Sequence, residues 1–191
     1  PLLKQALRRH VENLDNIYYD TEDLSLRRRG IALRLRRKGH LWLQTVKLAG
    51  ASAAGLASRP EWETPYAGAF DFSAVDARKV RAFLDERQAS LVPVFTTSFE
   101  RRTWRIDISR KIALWVMVDT GYVSSGDRVF PISEVELELV QGNPEDLLDF
   151  ASALATHLPL VPHDVSKAER GYQLFLQQAS CPQKALPSPL N

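Results

Sequence analysis

The chain is poor in the residues that build covalent and soft-metal frameworks. Cys181 is the single cysteine in 191 residues, which excludes an intrachain disulfide and a cysteine-based metal cluster. That usage fits a reducing cytoplasm, the expected location. The four histidines, His10, His40, His157 and His163, have no ligand spacing and receive no role. No apolar run approaches the roughly 18 residues of a membrane helix, and no signal-peptide pattern opens the chain. The net charge of +2 is too small to drive nonspecific nucleic-acid binding through bulk electrostatics. Any anion site must come from local segregation of charge.

Such segregation is present. In ISEVELELV the carboxylates of Glu134, Glu136 and Glu138 fall on alternate residues, with Val135, Leu137 and Leu139 between them. In an extended strand all three project from one face, where like charges repel unless something cationic lies over them. The run IALRLRRKG is the complement: Leu33 and Leu35 point one way, Arg34 and Arg36 the other. Guanidinium forks bind phosphate oxygens bidentately, and carboxylate oxygens are the usual ligands of Mg²⁺ and Mn²⁺. Together the two strands suggest a site for a metal-bound, highly phosphorylated substrate. Alternation also arises on any strand with one wet face, so either run alone is compatible with a solvated sheet.

The length and a 45% hydrophobic, 25% charged composition suit one sizeable globular domain. Residues 16–20 read as a short strand rich in aromatics. Asp20 or Thr21 caps a short helix after it, with Glu22 and Asp23 in its first turn and Gly30 as its stop. The run IALRLRRK turns at Lys38, Gly39 and His40 into LWLQTVKLAG, a hairpin. The stretch AGASAAGLAS has only small residues and reads as a loop, and RPEWETPY as a short strand between prolines. Helical periodicity covers residues 73–87. The longest β pattern runs from Pro93 through FTTSFERRTWRIDI, turns near residues 109–111, and returns in IALWVMVDTGYV. Gly126 and Asp127 mark the next turn, and the glutamate strand ends at Gly142. Helices follow over residues 144–158, capped by Asn143, and 166–178, started by Ser166 or Asp164. Residues 179–191 lose periodicity and read as a linker or tail, leaving 1–178 as the domain.

Seven or so strands joined mostly as hairpins, with helices between and after them, argue for an antiparallel α+β protein built as a sandwich or a barrel. Charged faces looking inward, with the helices covering the apolar outside, suit the three helices better than the reverse.

In order and spacing, NIYYDTEDLSLRRRGIALRLRR, WLQTVK, RPEWE, FERRTW, SEVELELVQG and SKAERGY resemble the CYTH superfamily of triphosphate tunnel metalloenzymes. The likeness spans residues 14–176 and is nearest to bacterial inorganic triphosphatases in which such a domain precedes a helical CHAD domain. It implies a closed, eight-stranded antiparallel β-barrel that binds triphosphate compounds with Mg²⁺ or Mn²⁺ and hydrolyses tripolyphosphate to diphosphate and phosphate. Other triphosphate chemistries are the alternatives: a thiamine triphosphatase, a nucleoside or RNA triphosphatase, an adenylate cyclase, or a module that binds polyphosphate without cleaving it. Family members open with a strand carrying an alternating Glu, Glu, Lys signature, and nothing before Asn16 supplies it. PLLKQALRRHV looks like the helix that follows that strand, so a chain starting late, with Pro1 in place of a methionine, is expected.

Residue by residue, the resemblance assigns Arg34, Arg36, Lys47, Arg101, Lys167 and Arg170 to the phosphate chain. Arg105 is a weaker inner-face candidate, and Arg102 should point outward with Trp104 and Ile106. Glu136 and Glu138 are the first metal ligands, with Glu134 and Asp119 beside them. Asp119 is otherwise a turn residue before Gly121. Glu61 and Glu63 orient arginines or a metal-bound water as catalytic groups, or else keep an edge strand soluble.

Overall fold

The computed structural model describes residues 6–53 and 56–176. Their order is β1 (Ala6–Asp20), α1 (Ser25–Arg28), β2 (Ile31–Lys38), β3 (Leu41–Leu48), β4 (Ala51–Ala53), β5 (Leu56–Ser58), β6 (Glu61–Pro65), α2 (Arg78–Arg87), β7 (Val92–Ser109), β8 (Ile112–Ser125), β9 (Arg128–Gln141), α3 (Pro144–Ala155) and α4 (Lys167–Phe175). The tail at 179–191 lies outside the described residues. Among the described residues no helix is long and apolar enough to cross a membrane.

An antiparallel sheet of seven strands runs β6-β3-β2-β1-β7-β8-β9, and β4 with β5 forms a separate small hairpin. Turn chemistry accounts for its hairpins. Gly39 and Gly126 adopt φ of 60° and 55°, where a side chain is strained, in the turns after β2 and β8. Sequence expectations change within the sheet. Residues 6–11 are strand rather than helix, because β1 pairs with β7 from Ala6↔Ile106 onward and that ladder outweighs the helical appearance of ALRRHV. The small-residue stretch pairs as Ala51↔Ser58 and Ala53↔Leu56 instead of forming a plain loop. The sheet is open: among the described residues no ladder joins β6 to β9, so the eight-stranded closure is not formed by these seven strands.

Two helices cover the apolar face of the sheet. Phe83 and Leu84 of α2 pack with Leu26, Ile31, Leu33, Val46, Phe72 and Val75. On the same side Phe150 and Leu154 of α3 meet Ile106, Leu114 and Val116. Asn143 starts α3, its N–H bonded to the Asp146 carboxylate at 2.7 Å. Helix α4 departs from expectation by lying on the other, charged face. There Tyr172 joins Leu14, Tyr18, Phe95, Phe99, Val123 and Ile132, an apolar patch at one end of that face.

Local chemistry also fixes α1. The Asp20 carboxylate accepts the N–H groups of Leu26 and Arg27, each at 2.9 Å, and the Thr21 hydroxyl accepts that of Ser25 at 2.9 Å. Both candidate caps are used, while Glu22 and Asp23 sit in the turn before the helix rather than inside it.

Candidate functional site

Strand register places the charged residues on one face. Arg36 lies opposite Asn16 and Arg34 opposite Tyr18 across β1 and β2. Arg34 faces Thr45, which faces Glu63, and Lys47 faces Glu61. Across β7, β8 and β9, Arg101 faces Asp119, which faces Glu134, while Met117 faces Glu136. Side chains of period two on these strands therefore supply two neighbouring groups, one mainly cationic and one in which carboxylates and cations are interleaved.

The first group is cationic. Arg34 is buried, its Nε donating to Thr45 Oγ1 at 3.2 Å and its Nη2 lying 3.5 Å from Glu61 and 3.8 Å from Glu63. Thr45 passes the contact on, donating to Glu63 Oε2 at 2.9 Å. Lys47 Nζ is 2.7 Å from Glu61 Oε2. Arg36 differs: its Nε donates to the Asn16 amide oxygen at 2.8 Å, and among the described residues it has no carboxylate partner. Burial first, then repulsion from Arg34, brings its pKa down to about 10. Burial and Arg34 likewise lower Lys47, against the pull of Glu61. Burial alone would raise the Tyr18 phenol, yet Arg34, Arg36 and Lys47 together bring it below its ordinary value. This is a field that favours an incoming anion.

The second group is a charge lattice. Arg101 binds Asp119 as a fork, Nε to Oδ1 at 2.8 Å and Nη2 to Oδ2 at 2.7 Å, and also touches Glu136. Asp119 is fully buried. Lys167 reaches down from α4 to Asp119 Oδ2 at 2.6 Å, to Glu136 Oε1 at 2.8 Å, and to Glu134. Arg170 binds Glu134 as well. Burial works against Glu136, but Lys167 and Arg101 outweigh it and hold its pKa down to about 2. The same carboxylates raise Lys167 despite its burial.

Asp119, Glu134 and Glu136 each offer an oxygen, and these oxygens lie within 4.8 Å of one another. An all-carboxylate donor set at this spacing fits a hard divalent cation, provided that Lys167 withdraws. Of the four carboxylates read as candidate ligands, Asp119, Glu134 and Glu136 come together, while Glu138 stands apart, exposed and opposite Trp115. Arg105 engages Asp107 at 3.0 Å, and Arg102 is exposed with Glu100 at 2.6 Å. Sequence reasoning missed Asn16, Thr45 and Tyr18. Alternation within β1 and β3, read against the arginines they face, was the available signal.

The chain belongs to the CYTH domain family, which it matches over residues 2–172. It is 33% identical over 165 residues to an inorganic triphosphatase of Haemophilus influenzae, covering 86% of this chain and 47% of that protein. The chain thus spans about half the length of that curated relative. A Hippeastrum protein of the adenylyl cyclase type, with a dominant triphosphatase activity, aligns over 95% of this chain and 88% of its own, with a TM-score of 0.58 at 16% identity. A candidate adenylate cyclase from Bacillus halodurans aligns over 82% and 79%, with a TM-score of 0.50 at 17% identity. At such identities these two structures speak to the fold alone.

Proposed function

We propose that the charged face binds inorganic tripolyphosphate and hydrolyses it to diphosphate and phosphate. The observation that carries this reading is Arg36, a half-buried guanidinium with no carboxylate within ion-pair distance among the described residues, beside Arg34 and Lys47 and on the same face as a carboxylate cluster of metal-ligand spacing. The inorganic triphosphatase relative supports it.

In this mechanism Arg34, Arg36 and Lys47 hold the phosphate chain from one side, and Arg101, Lys167 and Arg170 from the other. Guanidinium and ammonium groups spread along the anion relieve the charge that repels a nucleophile. A Mg²⁺ or Mn²⁺ ion held by Asp119, Glu134 and Glu136 would neutralise phosphate oxygens and help align the reacting groups. Glu61 and Glu63 orient Lys47, Arg34 and Thr45, and their carboxylates are the acceptors on this edge that would hold the attacking water. Water oxygen bonds to a terminal phosphorus, the bridging P–O bond breaks, and diphosphate leaves with the bonding pair; the water proton passes to a phosphate or carboxylate oxygen. Closure into an eight-stranded barrel belongs to this proposal, since a strand between β6 and β9 would complete both edges and enclose the face. A cytoplasmic setting suits a single-cysteine chain.

The test is phosphate release from tripolyphosphate with Mg²⁺ or Mn²⁺, beside ATP and thiamine triphosphate, using this chain and one extended upstream. Release from tripolyphosphate that falls with Arg36→Ala and with Glu136→Ala is expected. Turnover untouched by both variants defeats the mechanism, and tight binding without release in either chain makes this a polyphosphate-binding module.

A further inference from the structure

Lys167 and Arg170 come from a helix that is no part of the sheet supplying the rest of the site. Something must fix α4 in place and in rotation. We propose that Asp20 and Tyr172 are a positioning pair that seats α4 so that Lys167 and Arg170 stand over Asp119, Glu134 and Glu136. The proposal rests on the triphosphate reading of that face.

Asp20 ends β1 and is fully buried. Its Oδ1 accepts the N–H groups of Thr21 at 2.7 Å and Leu26 at 2.9 Å; its Oδ2 accepts the Arg27 N–H and the Tyr172 hydroxyl, each at 2.9 Å. Three of these donors are backbone groups at the strand end and the start of α1, so the carboxylate is held independently of α4. The fourth reaches α4. At 2.9 Å between two buried groups, this bond is shielded from competing water. Burial and the adjacent carboxylate push the Tyr172 phenol far up, which keeps it a donor across neutral pH.

Two further contacts show how this bond sets rotation. Gly171 lies against the Phe95 ring so closely that a Cβ there would stand 2.1 Å from it. At about 3.6 residues per turn, Lys167 and Tyr172 fall on opposite sides of Gly171 on the helix surface. Gly171 is therefore the pivot, and the hydroxyl bond on one flank holds the lysine on the other. Arg27 reinforces that flank, with Nη2 at 2.9 Å from Glu169 and its guanidinium 5.5 Å from the centre of the Tyr172 ring. The seat is also tied to the cationic group: the Phe95 ring meets Tyr172 edge-on at 5.0 Å and stacks on Tyr18 at 4.4 Å.

Tyr172→Phe keeps the ring and removes only the hydroxyl, so the fold should survive. Calorimetry with tripolyphosphate should show about three- to tenfold weaker binding, less than the full worth of the bond because its loss reaches the anion only through the placement of Lys167 and Arg170. Amide exchange should quicken in α4 and stay unchanged in β8 and β9. In a Lys167→Ala background the affinity loss should shrink, because the pair acts through the cations it positions. An equal loss in both backgrounds, or unaltered α4 exchange, overturns the proposal. If the wild-type chain binds no tripolyphosphate, the functional reading fails, and α4 exchange alone then decides whether the pair seats the helix.

Discussion

Lys167 Nζ stands 2.6 Å from Asp119 Oδ2, an ammonium against a fully buried carboxylate, and it reaches Glu136 and Glu134 from the same point. The lysine thus satisfies the same three carboxylates that a divalent cation would use. Lysine and metal compete unless substrate phosphates draw the lysine away. Lys167→Ala should tighten Mn²⁺ binding in the absence of phosphate by about tenfold, the order expected for removing one like charge a few ångströms away in a partly screened site. Tripolyphosphate affinity should fall in the same variant. Mn²⁺ titration followed by electron paramagnetic resonance checks the first, and an unchanged Mn²⁺ affinity would show that the metal does not use these oxygens.

Arg36 should show opposite effects on stability and binding. It is partly desolvated and lies near Arg34; its hydrogen-bond partner is the neutral Asn16 amide, and Glu63 acts on it only from beyond ion-pair distance. Arg36→Met should raise folding stability by up to about 1 kcal/mol, since relief of a partly desolvated charge beside Arg34 is offset in part by the donor that the buried Asn16 amide oxygen loses. It should also weaken tripolyphosphate binding by at least about tenfold, since charge-assisted bonds contribute roughly 1.5–3 kcal/mol. Urea unfolding and calorimetry on one preparation decide it. A variant that loses both stability and binding would mark Arg36 as structural.

Much of this site was legible because a strand has period two. Arg34, Arg36, Glu134 and Glu136 could be placed on faces from alternation alone, and Gly39 and Gly126 marked two of the hairpins that set register. What alternation does not carry is which strands become neighbours. Arg36 meets Asn16 only because β1 lies beside β2, and Asp119 joins Glu134 and Glu136 only because β8 lies beside β9. Residues 6–11 misled because a charged, alanine-leucine-arginine stretch favours helix locally, while long-range pairing with β7 decides the matter. The position of α4 on the charged face depended on Gly171, whose missing side chain lets the helix approach Phe95.

Acid should loosen the lattice through Glu136. Its folded-state pKa of about 2 lies below the ordinary 4.5, so its contribution to stability is complete above pH 4.5 and is lost as pH falls toward 2. Glu136 keeps 42% of its side chain exposed, so solvent screening makes the loss modest. Thermal unfolding across that interval should be steeper for the wild-type chain than for Glu136→Gln, which has no carboxyl there to protonate. Parallel profiles would mean that Arg101 and Lys167 do not depend on Glu136 for their placement.

Gly171→Ala tests the seat of α4 by steric means. The added methyl would meet the Phe95 ring at 2.1 Å, too close for either to remain in place, and overpacking of this kind costs about 1–3 kcal/mol. Helix propensity pulls the other way, because alanine is favoured over glycine inside a helix by about 1 kcal/mol. The net result should be a modest loss of stability with a larger loss of tripolyphosphate binding, as α4 is lifted and Lys167 and Arg170 leave their carboxylates. Phe95→Leu in the same chain removes the ring that the methyl strikes and should restore part of the binding, whereas each change alone should weaken it. Binding that stays at the wild-type level in Gly171→Ala would show that the cations of α4 reach the site without this close packing.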